Sequence, residues 1–229
     1  MNTQSRFPGF AIGLATALLP LLASAATVQV TVLARDGQPL ADAVVVLVPA
    51  TATTPATAPR TSATASSSVQ ATVQQQKMQF VPVLTVVPVG ARVRFTNLDA
   101  YEHHVRGRPA GLAGLNADAA SGFELRLAAR EGEGEPASTE VTLDRAGPLQ
   151  LGCHLHGSMR GHLFVADSPW TVKTGPDGVA TLQDVPEGAA RLRVWHGEQL
   201  IDPAPLALNI TPVTALSVPT QVQPRRRRP

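Results

Sequence analysis

The 229-residue chain contains one cysteine, and it lies in "LGCHLHGSMRG" (151–161). His154 and His156 follow Cys153 by one and three places, and Met159 by six. A thiolate, an imidazole and a weak thioether form a soft-to-intermediate donor set, which suits copper in either oxidation state. Cys153 ends a strand candidate with its side chain toward the core. A bend after it can bring the side chains at +3 and +6 back to one point, so Cys153, His156 and Met159 are candidate ligands. His154 faces away from Cys153 in a strand and reads as a surface or supporting residue. A trigonal copper plane needs one more imidazole, which must come from another strand.

"FTNLDAYEHHVRG" (95–107) offers two, His103 and His104. Side chains alternate along a strand, so if Val105 faces the core, His103 shares its side and His104 points away. Parity therefore favours His103, and His104 remains the alternative. His162 and His196 read as structural or exposed.

The N-terminus explains why one thiol is unusual here. Arg6 precedes the apolar stretch "FAIGLATALLPLLASA" (10–25), which ends in the small residues Ala23, Ser24 and Ala25. This pattern predicts a secretory signal over 1–25, cleaved after Ala25 or Ala26. A membrane anchor is the other reading, but the run is shorter than the roughly 20 residues a spanning helix needs. No twin arginine is present, so export is expected in the unfolded state, to the periplasm in a Gram-negative cell. A lone Cys in an exported chain is inert, paired between chains, or bound to metal; its neighbours favour metal.

A net charge of +2 gives no basis for nucleic-acid binding. Arg225–Arg228 are concentrated in the tail "QPRRRRP", and without them the chain is slightly acidic. The tail, 219–229, reads as a disordered basic arm, either idle or in weak contact with an acidic protein or anionic surface.

The rest reads as all-β. "TVQVTVLARDGQPLADAVVVLVPA" (27–50) gives two strands around Asp36-Gly37. The Ala/Thr/Ser/Pro-rich stretch that follows cannot supply a core, and 51–77 reads as a linker. Beyond Met78, "FVPVLTVVPVGARVRFTNLD" turns at Gly90, and Val93 and Phe95 then alternate with Arg92 and Arg94. "FELRL" (123–127), two strands in "STEVTLDRAGPLQLGC" (138–153) and "GHLFVAD" complete this region. Leu149, Leu151 and Cys153 share a face. In the last third, Pro-Asp-Gly and Pro-Glu-Gly mark turns.

The combined pattern N-x-D-x-x-x-H-x-V and C-x-x-H-x-x-M-x-G, filled by Asn97, Asp99, His103, Val105, Cys153, His156, Met159 and Gly161, resembles the cupredoxins, the small blue copper proteins. The short C-x-x-H-x-x-M spacing is similar to amicyanins; plastocyanins have two more residues before the methionine. "FVP" (80–82) also resembles the group, which includes the bacterial methylamine-utilisation-like proteins. The resemblance spans 78–167. It implies a Greek-key β-sandwich holding one type 1 copper ion, with His103, Cys153 and His156 in the plane and Met159 axial. It also implies one-electron transfer without bond chemistry. Where the family usually carries an Asn tying the two ligand loops together, this chain has His104.

A second resemblance flanks the first. "VQVTVLARDGQPLADAVVVLVPA" and "TGPDGVATLQDVPEGAARLRVWH" (174–196) look like the two parts of a carboxypeptidase-regulatory-like, transthyretin-like β-sandwich. The expectation is a split small sandwich, 26–50 plus 168–218, with the cupredoxin inserted in it. Insertion is tolerable because loop-closure cost grows by only about 0.6 kcal/mol per doubling of length. Alternatively, these strands extend the cupredoxin sheets.

The resulting expectation is an exported electron carrier that docks transiently on redox partner proteins, with His156 as the electron exit and Leu155, Gly157 and Ser158 around it. The alternative is a non-redox copper-binding or copper-delivery protein. A third reading is an adhesive β module with an incidental cysteine. An oxidase would need several His-x-His pairs, and only His154/His156 has that spacing.

Overall fold

The structure, a computed structural model, describes residues 25–50, 69–115 and 122–224. All of the expected 1–25 signal except Ala25, most of the linker and Arg225–Arg228 lie outside the described residues.

The described chain is almost entirely β. Its strands are β1 (Ala25–Leu33), β2 (Val44–Pro49), β3 (Ala71–Gln76), β4 (Gln79–Val81), β5 (Leu84–Pro88), β6 (Ala91–Asn97), β7 (His103–Pro109) and β8 (Phe123–Leu127). They continue with β9 (Ser138–Leu143), β10 (Gly147–Cys153), β11 (Arg160–Ala166), β12 (Thr171–Lys173), β13 (Val179–Pro186), β14 (Gly188–Trp195), β15 (Leu206–Ile210) and β16 (Val213–Pro219). A 3-10 turn, Gly111–Leu115, follows β7.

These strands form four sheets, in the orders β13-β1-β16, β12-β2-β14-β15, β5-β11-β10-β7-β8 and β4-β3-β6-β9. Strands β3 to β11 pair only with one another, whereas β1 and β2 pair with strands beyond residue 170. Val28, Val30 and Val32 of β1 face Val45 and Leu47 of β2 and Leu192 of β14 in one buried core. Phe80, Val93, Phe95, Val105, Leu151 and Leu163 fill the other, between the last two sheets. Each such side chain contributes about 1.5–3 kcal/mol through burial.

A third cluster joins the sandwiches: Val44 and Val46 of β2 and Trp195 of β14 meet Leu84 of β5 and Phe164 and Ala166 of β11. This explains why "VVVLVP" and "HLFVA" are continuous apolar runs. Both faces of β2 and β11 are covered, so neither strand needs a polar side.

Two boundaries differ from the sequence reading. The stretch 51–77 was expected to be a linker, yet β3 lies inside it, parallel to β6 and antiparallel to β4. Its polar sequence "ATVQQQ" conceals an alternation in which Val73 and Gln75 are fully buried. The tail was expected to leave the fold at 219, but Val222 is buried in the first core and its carbonyl accepts the Arg35 N–H at 2.8 Å.

The second sandwich positions the site. β7 and β10 are antiparallel neighbours with Cys153 opposite Val105, so the start of β7 and the end of β10 lie at the same end of the sheet. The β10–β11 connection turns back there, with the Met159 N–H donating to the His156 carbonyl at 3.0 Å.

Candidate metal centre

Parity along β7 sends His103 and Val105 inward, and both are fully buried. His104 is half-buried on the other face. Cys153 ends β10 facing the same core, and Met159 is buried beside it at the entry to β11. His156 sits half-exposed on the intervening turn.

The structure brings His103, Cys153 and His156 together, with one donor atom from each lying within 4.8 Å of the others. Cys153 Sγ is 3.6 Å from His103 Nδ1 and 3.4 Å from His156 Nδ1. Ligands in a trigonal plane at about 2.0 Å (N) and 2.3 Å (S) from a metal would stand about 3.7 Å apart. The spacing therefore fits a first-row metal ion, and thiolate plus imidazole is a copper-type donor set.

Asp99 fixes the ring of His103. Its Oδ2 lies 2.9 Å from His103 Nε2. Its carboxylate also accepts the backbone N–H groups of Lys77 at 2.6 Å and Met78 at 3.0 Å. Burial opposes ionisation of Asp99, but the Met78 N–H, the His103 ring and the Lys77 N–H together hold its carboxyl below the usual value. An ionised carboxylate only accepts, so Nε2 carries the proton and the Nδ1 lone pair faces Cys153. Lys77 and Met78 turn between β3 and β4 with φ of 53° and 56°.

Asn97 braces the same loop. Its side-chain amide donates to the carbonyls of Tyr101 at 2.7 Å and Ala128 at 2.8 Å, while its Oδ1 accepts the Asp99 N–H at 2.9 Å.

Residues 67–166 match the family of copper binding proteins described as plastocyanin/azurin. This segment is a cupredoxin domain. Its fold is the expected Greek-key β-sandwich, and copper is the cofactor its donor set fits. Among solved structures, an amicyanin from Paracoccus versutus (Thiobacillus versutus) is 20% identical, covering 44% of this chain and 84% of its own, with a TM-score of 0.34. An oxidised single-substitution mutant of amicyanin is 24% identical over 42% of this chain and 80% of its own, with a TM-score of 0.33. Among curated proteins none matches the chain.

A backbone contact joins the two loops that carry the candidate ligands. The His154 N–H donates to the His104 carbonyl at 2.9 Å, and the two rings lie 6.2 Å apart. Tyr101, which the sequence reading passed over, lies against both candidate imidazoles, with ring centroids 5.9 Å from His103 and 5.7 Å from His156. An aromatic two residues before the first histidine was the available signal. His162 and His196 lie away from the cluster, lining a cavity of about 310 Å³ between the sandwiches.

Proposed function

We propose that the chain is an exported mononuclear type 1 copper protein that carries single electrons between protein partners. His103 Nδ1, Cys153 Sγ and His156 Nδ1 would hold the ion, with the buried Met159 thioether as a further, weaker ligand. The observation that carries this reading is the convergence of one cysteine sulfur and two imidazole nitrogens, with the sulfur 3.6 and 3.4 Å from the nitrogens and all three within 4.8 Å of one another.

Copper bound there supplies a one-electron couple; the chain's own residues hold, orient and shield it. Asp99 and Asn97 brace the first loop, and Met159, 1% exposed, closes the core side. Tyr101 and Leu155, 41% and 53% exposed, flank His156 and support a small apolar docking surface for a transient partner. Rigid placement of the donors favours electron transfer, because little has to move when the oxidation state changes. No bond-making chemistry is assigned.

The pairing of β1 with β13 and β16, and of β2 with β12 and β14, supports a further reading: the cupredoxin is inserted into a small β-sandwich of the carboxypeptidase-regulatory-like kind. Among the described residues no helix is long and apolar enough to cross a membrane. The export reading rests on the N-terminal sequence.

The experiment is the visible and EPR spectrum of the protein after addition of Cu(II). An intense blue thiolate charge-transfer band with narrow copper hyperfine splitting, lost in Cys153→Ser, is expected. A pale spectrum unchanged in Cys153→Ser would overturn the electron-carrier reading in favour of copper sequestration.

A further inference from the structure

We propose that His104 and His154 form a second, exposed binding site for a borderline divalent cation of the Cu(II) or Zn(II) class. It lies on the face of the five-stranded sheet opposite the His103–Cys153–His156 cluster. The proposal does not depend on the electron-carrier reading.

Register creates the pair. Val105 stands opposite Cys153 in antiparallel strands, so the next position pairs His104 with His154. The His154 N–H donates to the His104 carbonyl at 2.9 Å. Because His103 and Cys153 point inward, alternation turns His104 and His154 outward, and His154 is exposed. Residues directly opposite on such strands hold their Cβ atoms about 4.5–5.5 Å apart. The two ring centroids are 6.2 Å apart at 62°. A metal bound at about 2.0 Å to each imidazole needs the two nitrogens within about 4 Å of each other. With the backbones already paired, rotation of the two side chains is the movement binding would require.

The lone pairs already face cations. His104 Nε2 accepts the Arg126 Nε–H. On the other ring, Arg106 Nη1 lies 3.4 Å from His154 Nδ1. Arg126 thus caps the His104 lone pair that a metal would need, and Arg106 that of His154; the Arg126 cap is the one a metal must displace first. It is displaceable: the side chain is 74% exposed, and its ion pair with Glu102 is long, at 3.9 Å. Displacement would free the Glu102 carboxylate, two residues from His104, to act as an oxygen ligand. Glu102 and Glu124 offset the charges of Arg126 and Arg106. Two imidazoles with a carboxylate and water suit Cu(II) best among the divalent ions in the Irving–Williams order. With no thiolate, the site adds no blue colour.

The test is titration of the full chain with Cu(II) alone, followed by EPR and visible absorption. A second equivalent is expected to give a wide-hyperfine signal without further blue intensity. His104→Ala and His154→Ala should each weaken that binding by at least about tenfold while leaving the blue band in place. Arg126→Ala should strengthen it, and Cys153→Ser should retain it. A second equivalent that never binds, or binds equally well in both histidine variants as an adventitious ion only, overturns the proposal. If the blue band is absent but a copper signal still depends on His104 and His154, the second site stands and the electron-carrier reading falls.

Discussion

Asp99 Oδ2 lies 2.9 Å from His103 Nε2, and this contact decides which nitrogen of the ring faces Cys153. The carboxylate keeps the proton on Nε2 and makes the imidazole a stronger donor at Nδ1. In Asp99→Asn the charge disappears, and an amide NH₂ must face one of the N–H groups of Lys77 or Met78. Copper affinity, measured by chelator competition, should fall by about 10–100-fold. Cu(II) loses more than Cu(I), so voltammetry should show a higher reduction potential. Unchanged affinity and potential would mean that Asp99 serves only the β3–β4 turn.

Gly161 tests the packing beneath the ligand loop. A Cβ built there would lie 3.0 Å from Phe80 Cβ and 3.2 Å from the Val83 carbonyl oxygen. Neither neighbour is the free end of a flexible side chain. Gly161→Ala should therefore cost about 1–3 kcal/mol in denaturant unfolding, as overpacking of a close-packed core does. Gly157→Ala, where the added Cβ meets nothing within 4 Å, is the control and should be nearly neutral.

Trp195 links the sandwiches. It is 6% exposed, and its ring lies 5.5 Å from Phe164 and 5.4 Å from His162 between centroids. Trp195→Ala should cost about 3–5 kcal/mol. The proposed copper site lies at the β7/β10 end of the other sandwich, so the blue band of the folded variant should persist. Loss of the blue band and loss of far-ultraviolet circular dichroism should then separate into two transitions on denaturation. A single, undisplaced transition would mean that the third cluster contributes little.

Much of this was legible because strand periodicity and ligand spacing are local properties. Val93 and Phe95 alternate with Arg92 and Arg94 as expected, and the parity that favoured His103 over His104 holds in β7. What the sequence concealed depends on long-range contacts. β3 reads as polar although Gln75 is fully buried: it lies between its hairpin neighbour β4 and the more distant β6, and its backbone carbonyl accepts the Leu98 N–H at 2.9 Å. Tyr101 gains its place against His103 and His156 only once the two ligand loops meet. The cluster between sandwiches was present as continuous apolar runs, but a run alone does not say which sheet covers its second face.

The cavity between the sandwiches gives the pH prediction. Burial and the nearby His196 push His162 down to about 4, against a weaker opposing pull from Glu198. His196 is also lowered by burial, with Glu198, Asp42 and the Ala41 carbonyl opposing. Lys173 is held by Asp42 at 2.8 Å. A base whose folded pKa lies below its unfolded value binds its proton first in the unfolded chain. The stability tied to His162 is therefore complete above pH 6.5, falls as pH drops toward 4, and levels off below that. The full shift corresponds to at most about 3 kcal/mol. Denaturant midpoints of the metal-free protein should fall across this window. In His162→Asn, which cannot titrate, the slope should be shallower even if overall stability is lower. Equal slopes in the two proteins would place the acid sensitivity elsewhere than at this interface.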